Sequence, residues 1–99
     1  MTALSKEQLD EELKKLENWT VEDGVLLTGF EFEGFLASID FVGIIADLAE
    51  EFKHHPRIYI DYNVVELELF THDEKAITQL DIDFAHAVEQ LPYLNDEEL

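Results

Sequence analysis

Residues 57–70 read Arg-Ile-Tyr-Ile-Asp-Tyr-Asn-Val-Val-Glu-Leu-Glu-Leu-Phe, and this stretch decides the fold. Val65, Leu67 and Leu69 alternate with Glu66 and Glu68, the period-two pattern of a strand with one buried and one wet face. A second strand-like run, Arg57–Tyr62, precedes it, and the two join near Asn63 as a hairpin. Upstream, Trp19–Val21 and Val25–Glu33 flank Glu22-Asp23-Gly24. Asp-Gly between two β-rich runs signals a tight turn, so a second hairpin is expected there. In its later strand Phe30 and Phe32 alternate with Glu31 and Glu33. Trp19 reads as a core aromatic.

Helical signals surround these hairpins. Ser5 and Gln8 form a capping box, Leu4 can staple onto Leu9, and Leu9, Leu13 and Leu16 make one apolar stripe, with a stop expected at Asn18. Phe35–Phe52 is the longest helical segment. Asp40, Asp47 and Glu51 share one narrow stripe, and apolar residues cover most of the rest. Such a helix has more apolar surface than one sheet face needs, so the remainder should pack on other helices or another subunit. Thr78-Gln79-Leu80-Asp81 opens a last helix as a capping box, with Ile82, Ala85, Val88 and Leu91 on its apolar face. Pro92 should end it, leaving Asn95–Leu99 as a frayed acidic terminus. The expected fold is α+β, in the order α-β-β-α-β-β-α. A four-stranded antiparallel sheet carries three helices on one face, in a single domain over residues 1–99.

Composition narrows the function classes. Apolar residues make up 46% of the 99 and aromatics 11%, enough to fold around a modest core. No cysteine is present, which removes disulfides, thiolate catalysis and Cys-based zinc sites. No apolar run approaches the roughly 18 residues of a membrane span. The opening Met-Thr-Ala-Leu-Ser-Lys-Glu has no basic region followed by an apolar stretch, so a cytoplasmic location is expected. Twenty-four acidic against six basic residues give a net charge of −18, and Arg57 is the sole arginine. Such a surface repels nucleic-acid phosphates. The acidity is spread along the chain, which fits either high solubility or a salty cytoplasm that screens self-repulsion.

The chemistry-bearing residues gather between Glu50 and Asp81. Pro56 biases His55 out of helical geometry, so the long helix should end at His54-His55-Pro56. His72 lies just past the last strand. If the strands pair about Asn63, positions near 54 and 72 meet at the hairpin's open end, bringing three imidazoles together. Imidazole moves protons near neutral pH without a cofactor, so general acid/base work is expected, with no cofactor. Asp81 can orient one ring, hold a polar ligand, or simply complete the capping box. No His-x3-His or His-Glu-x2-His motif fixes a metal geometry, so no metal is expected. A His-His pair alone is commonly a surface loop feature, and His86, beside Asp83, reads as a surface residue.

The spacing Glu50-x3-His54-His55-Pro56-x5-Tyr62-x9-His72-x8-Asp81 resembles the signature of the pterin-4a-carbinolamine dehydratases, and the likeness covers nearly the whole chain. The resemblance implies loss of water from 4a-hydroxytetrahydropterin to give quinonoid dihydropterin, in a homodimer or homotetramer that serves an aromatic amino acid hydroxylase. It implies His54 and His72 as proton-transfer residues, His55 chiefly as a substrate-positioning residue, and Asp81 in support. Glu50, Phe70, Thr71 and Asp73 join the histidines as implied substrate-binding residues, the backbone of 70–73 meeting the polar edge of the pterin. The resemblance also leaves open a protein-binding role, since some members of the family serve in addition as a dimerisation partner of a transcription factor and others resemble assembly factors more than enzymes. One departure is Ile58, where the family commonly has Trp, and Tyr59 or Phe70 would have to supply the missing aromatic wall.

Overall fold

A computed structural model describes residues 2–92. Its elements are α1 (Lys6–Leu13), β1 (Trp19–Glu22), β2 (Val25–Glu31), α2 (Phe35–Phe52), β3 (Arg57–Asp61), β4 (Val64–Leu69) and α3 (Gln79–Glu89). The four strands form one antiparallel sheet in the order β1-β2-β4-β3, so β4 is central and β3 is an edge. The α-β-β-α-β-β-α order, with the helices on one face, is the arrangement expected from the sequence.

Each hairpin follows from its turn residues. Asp23 and Gly24 both take positive φ, 52° and 76°, the geometry that lets a two-residue turn match the strand twist. Tyr62 supplies the positive φ of 54° between β3 and β4, which fixes Asp61 opposite Val64. From there the register sets Ile58 against Leu67 and Thr28 against Leu67 on the other side. Trp19, Leu26, Val65, Leu67 and Leu69 therefore share one face and are buried beneath Phe41, Ile45, Ile82, Phe84 and Val88 of the helices. Phe41 is packed between Phe30 and Phe32, with ring centroids 5.2 and 5.0 Å away. Ile58 packs against this core.

Helix ends decide where the functional residues fall. The capping box at Ser5 forms as expected, but α1 stops at Leu13, short of Asn18. Lys15 N–H and Leu16 N–H bond back to Glu12 and Leu13, and this turn drops Leu16 into the core. The end of α2 is a Schellman arrangement. His54 N–H reaches the carbonyl of Ala49 at 3.0 Å, and Lys53 N–H that of Glu50 at 3.3 Å. Lys53 occupies the left-handed position at φ 53°, usually given to glycine. The chain is thereby turned sharply, and His54 is aimed inward. The Thr78 capping box forms as expected, and α3 runs to Glu89. The anticipated acidic terminus Asn95–Leu99 lies outside the described residues. His86 is a correction: it is partly buried and faces Glu12 of α1 at 3.4 Å, because α1 lies against α3.

Phe41→Ala is expected to lower the unfolding free energy by about 3–5 kcal/mol, since it empties a fully buried site between two aromatic rings. Lys53→Gly should raise it by about 1 kcal/mol by removing a left-handed side-chain penalty. Urea denaturation followed by circular dichroism measures both.

Candidate active site

At the end of the sheet where α2 stops and β4 leaves, a cleft of about 500 Å³ opens between the post-α2 turn, the post-β4 loop and the first turn of α3. It is lined by Lys53, His54 and His55 of the post-α2 turn, Thr71, His72, Asp73 and Glu74 of the post-β4 loop, and Leu80 of α3. The three histidines expected to converge are all on this cleft.

The alternation of β4 continues past its last hydrogen bond. Leu69 and Thr71 are buried on the helix face, while Phe70 and His72 are directed to the other. The loop then closes on itself. Thr71 N–H bonds to Ala76 O at 3.0 Å, and Lys75, at φ 53°, returns its N–H to His72 O at 3.2 Å. His72 is thus held on a short, internally bonded loop, with its ring edge-on to Phe70 at 5.4 Å. Phe70, His55 and His72 also border a small adjoining hollow with Val25, Arg57 and Glu68. Of the two aromatics that could replace the missing tryptophan, Phe70 is at the site. Tyr59 pairs with Glu66 on the open sheet face and lines neither hollow.

Each histidine has a different support. His54 is buried, and its Nε2 lies 2.5 Å from Asp81 Oδ1. Asp81 is itself fully buried and accepts at Oδ2 from Thr71 Oγ1 at 2.7 Å and from Thr78 N–H at 2.9 Å. A carboxylate only accepts, so His54 donates through Nε2. Its Nδ1 has no partner among the described residues and is open to the cleft. His55 is exposed, with Nε2 2.7 Å from Glu50 Oε2. His72 has no carboxylate at its ring among the described contacts.

The expected site residues therefore divide in two. His54, His55, Thr71, His72 and Asp73 reach the cleft, and Phe70 borders it through the adjoining hollow. Glu50 is not among the residues lining the cleft, is exposed and holds His55, whereas Asp81 is fully buried behind His54. The sequence reading missed Lys53, Glu74 and Leu80 on the cleft wall, and Thr78 beneath it. The capping box signalled Leu80 and Thr78, since the first turn of a helix must sit beside its cap. Nothing local in the sequence signalled Lys53 or Glu74.

Comparisons with known proteins agree with this architecture. The family described as Pterin 4 alpha carbinolamine dehydratase matches residues 2–91. A protein of Metallosphaera sedula is 38% identical over 91 residues, covering 92% of this chain and 95% of its own. One of Herpetosiphon aurantiacus is 42% identical over the same length and coverage. Both bear the name "Putative pterin-4-alpha-carbinolamine dehydratase". Among solved structures, a transcriptional coactivator/pterin dehydratase from Brucella melitensis superposes with a TM-score of 0.84 at 31% identity, covering 89% of this chain and 96% of that one. A pterin dehydratase-like RuBisCO assembly factor shares the fold at TM-score 0.59 and 22% identity, covering 72% of this chain and 82% of its own. The cleft thus sits on a scaffold matched along almost its full length, and the chain belongs to the pterin-4-alpha-carbinolamine dehydratase family.

Proposed function

We propose that this protein dehydrates 4a-hydroxytetrahydropterin to the quinonoid dihydropterin. The observation that carries the reading is the convergence of three imidazoles on one cleft, one braced from behind by a buried carboxylate. Dehydration needs a proton delivered to the departing 4a-hydroxyl, so that water leaves as the C4a–O bond breaks. It also needs a proton taken from the neighbouring ring nitrogen, so that the new double bond forms. Two imidazoles brought to one cleft from separate segments suit this exchange, because each can give or take one proton and neither needs a cofactor.

In this reading His54 and His72 transfer protons. His54 works through Nδ1, since Nε2 is committed to Asp81. His55, anchored by Glu50, positions the pterin, and the backbone of Phe70–Asp73 meets its polar edge. Phe70 offers the ring a partial aromatic wall in place of the tryptophan absent at Ile58. The physiological setting is recycling of the carbinolamine that an aromatic amino acid hydroxylase releases.

The exposed apolar surface supports self-association. Phe35, Leu36 and Ile39 of α2 are 50%, 76% and 40% exposed, and β3 is an uncovered sheet edge carrying exposed Tyr59 and Ile60. A contiguous apolar helix face of this kind marks an interaction site. A homodimer or homotetramer that buries α2 is the occupant we assign to it. The same face would serve a catalytically weak family member acting as a dimerisation or assembly factor.

Activity separates these readings. Added to a hydroxylase reaction, the protein is expected to accelerate decay of the carbinolamine absorbance over buffer. His54→Ala and His72→Ala should each slow turnover roughly 100-fold or more. No acceleration by the wild type would leave only the scaffold role, and wild-type rates in either variant would refute the residue roles. Light scattering should report a dimer or tetramer that Leu36→Glu dissociates; a monomeric wild type would discard the self-association.

A further inference from the structure

The capping box of α3 needs only two residues. Thr78 satisfies the first-turn N–H groups, and Asp81 returns Oδ2 to the Thr78 N–H at 2.9 Å. The site contains a third contact that helix termination does not require. Thr71, from the end of β4, donates its hydroxyl proton to the same Oδ2 at 2.7 Å and also meets Thr78 Oγ1 at 2.8 Å. A hydroxyl has one proton, so in the Thr71–Thr78 contact Thr71 accepts.

This third contact has a geometric consequence. With Thr78 N–H alone on Oδ2, the carboxylate could pivot about that single bond and carry Oδ1 away from His54. A second donor from a different element fixes its plane. Thr71 is itself braced, since its backbone pairs with Ala76 and its side chain is buried. The chain of contacts therefore runs from the sheet end, through a hydroxyl and a carboxylate, to an imidazole whose remaining nitrogen opens on the cleft.

We infer that Thr71 is a positioning residue for proton transfer at His54: its hydroxyl locks the Asp81 carboxylate, which holds His54 as the Nε2–H tautomer with Nδ1 presented to the substrate. Without the lock, Asp81 no longer discriminates between the two ring tautomers, and a fraction of His54 presents N–H where a lone pair is needed. A wrong tautomer disables an imidazole base even when the ring stays in place.

The kinetic part of this inference rests on the dehydratase reading, and the spectroscopic part does not. Ring nitrogen signals of the ¹⁵N-labelled protein, with His54 identified by its loss in His54→Gln, report the tautomer at a pH where the ring is neutral. The wild type is expected to show a pyrrole-like Nε2 and a pyridine-like Nδ1. Thr71→Val should move both signals toward a tautomer average and lower kcat roughly tenfold, the scale of one hydrogen bond to a charged group, with KM unchanged. Thr71→Ser, which keeps the hydroxyl, should restore both.

A wild-type His54 protonated on Nδ1 would overturn the inference without any variant being folded. So would a folded Thr71→Val with wild-type ring signals, or a Thr71→Ser that fails to rescue. If the wild type lacks dehydratase activity, the function assignment falls, and the ring signals alone decide the role of Thr71.

Discussion

A carboxylate with no solvent exposure is tolerated only when its lone pairs are filled, because desolvating the charge costs several kcal/mol. Asp81 meets this condition with donors from three separate pieces of chain: the His54 ring after α2, the Thr71 hydroxyl after β4 and the Thr78 N–H at the start of α3. The N-terminus of α3 adds a favourable dipole for the negative charge. Each donor offsets part of that desolvation cost, and the carboxylate ties the three segments to one point. The ends of α2, β4 and α3 are fixed relative to one another at this point, and the cleft opens directly above it. Stability and site geometry here depend on the same atoms.

Around this fixed centre the histidines differ in freedom. His54 is clamped between a Schellman turn and a buried acid. His55, one residue later, has left the helix and swings outward against exposed Glu50. His72 reaches the same cleft from the post-β4 loop, which is tied by its own backbone bonds. The strand alternation explains how one loop can serve both purposes: Thr71 points in to hold the carboxylate, and His72 points out to meet a ligand. A cleft at the end of a sheet can draw residues from both faces, which a pocket on either face cannot.

The charge of −18 lies mostly away from this centre. Glu66 and Glu68 of β4 are on the open face, where Arg57 meets Glu68 at 3.6 Å, and Asp40, Asp47 and Glu51 follow the wet stripe of α2. The ion pairs Lys6–Asp10 and Lys14–Glu11 are exposed, a class worth about 1 kcal/mol or less each. They do little to offset the self-repulsion, which salt screens. No helix among the described residues is long and apolar enough to cross a membrane.

Much of this was legible in the chain because it rests on short-range rules. Alternating Val65, Leu67 and Leu69 set the central strand, Asp23-Gly24 set one turn, and the Thr78–Asp81 spacing set a helix start, each from contacts a few residues apart. The resemblance carried by Glu50, His54, His55, Tyr62, His72 and Asp81 named the family. Local rules were less able to say where α1 stops, since Leu16 continues the helical stripe yet is pulled into the core by a turn. His86 looked superficial because its partner, Glu12, is 74 positions away. Nor could they show that Asp81 is closed off behind His54, that Glu50 grips His55 from outside the cleft, or that Lys53, Glu74 and Leu80 form its walls. Those facts depend on where three chain ends meet. The sequence by itself determined the elements, their order and the residue types able to move protons; only the tertiary structure decided which nitrogen of His54 is held and which is left free, because that is set by a buried carboxylate braced by distant segments.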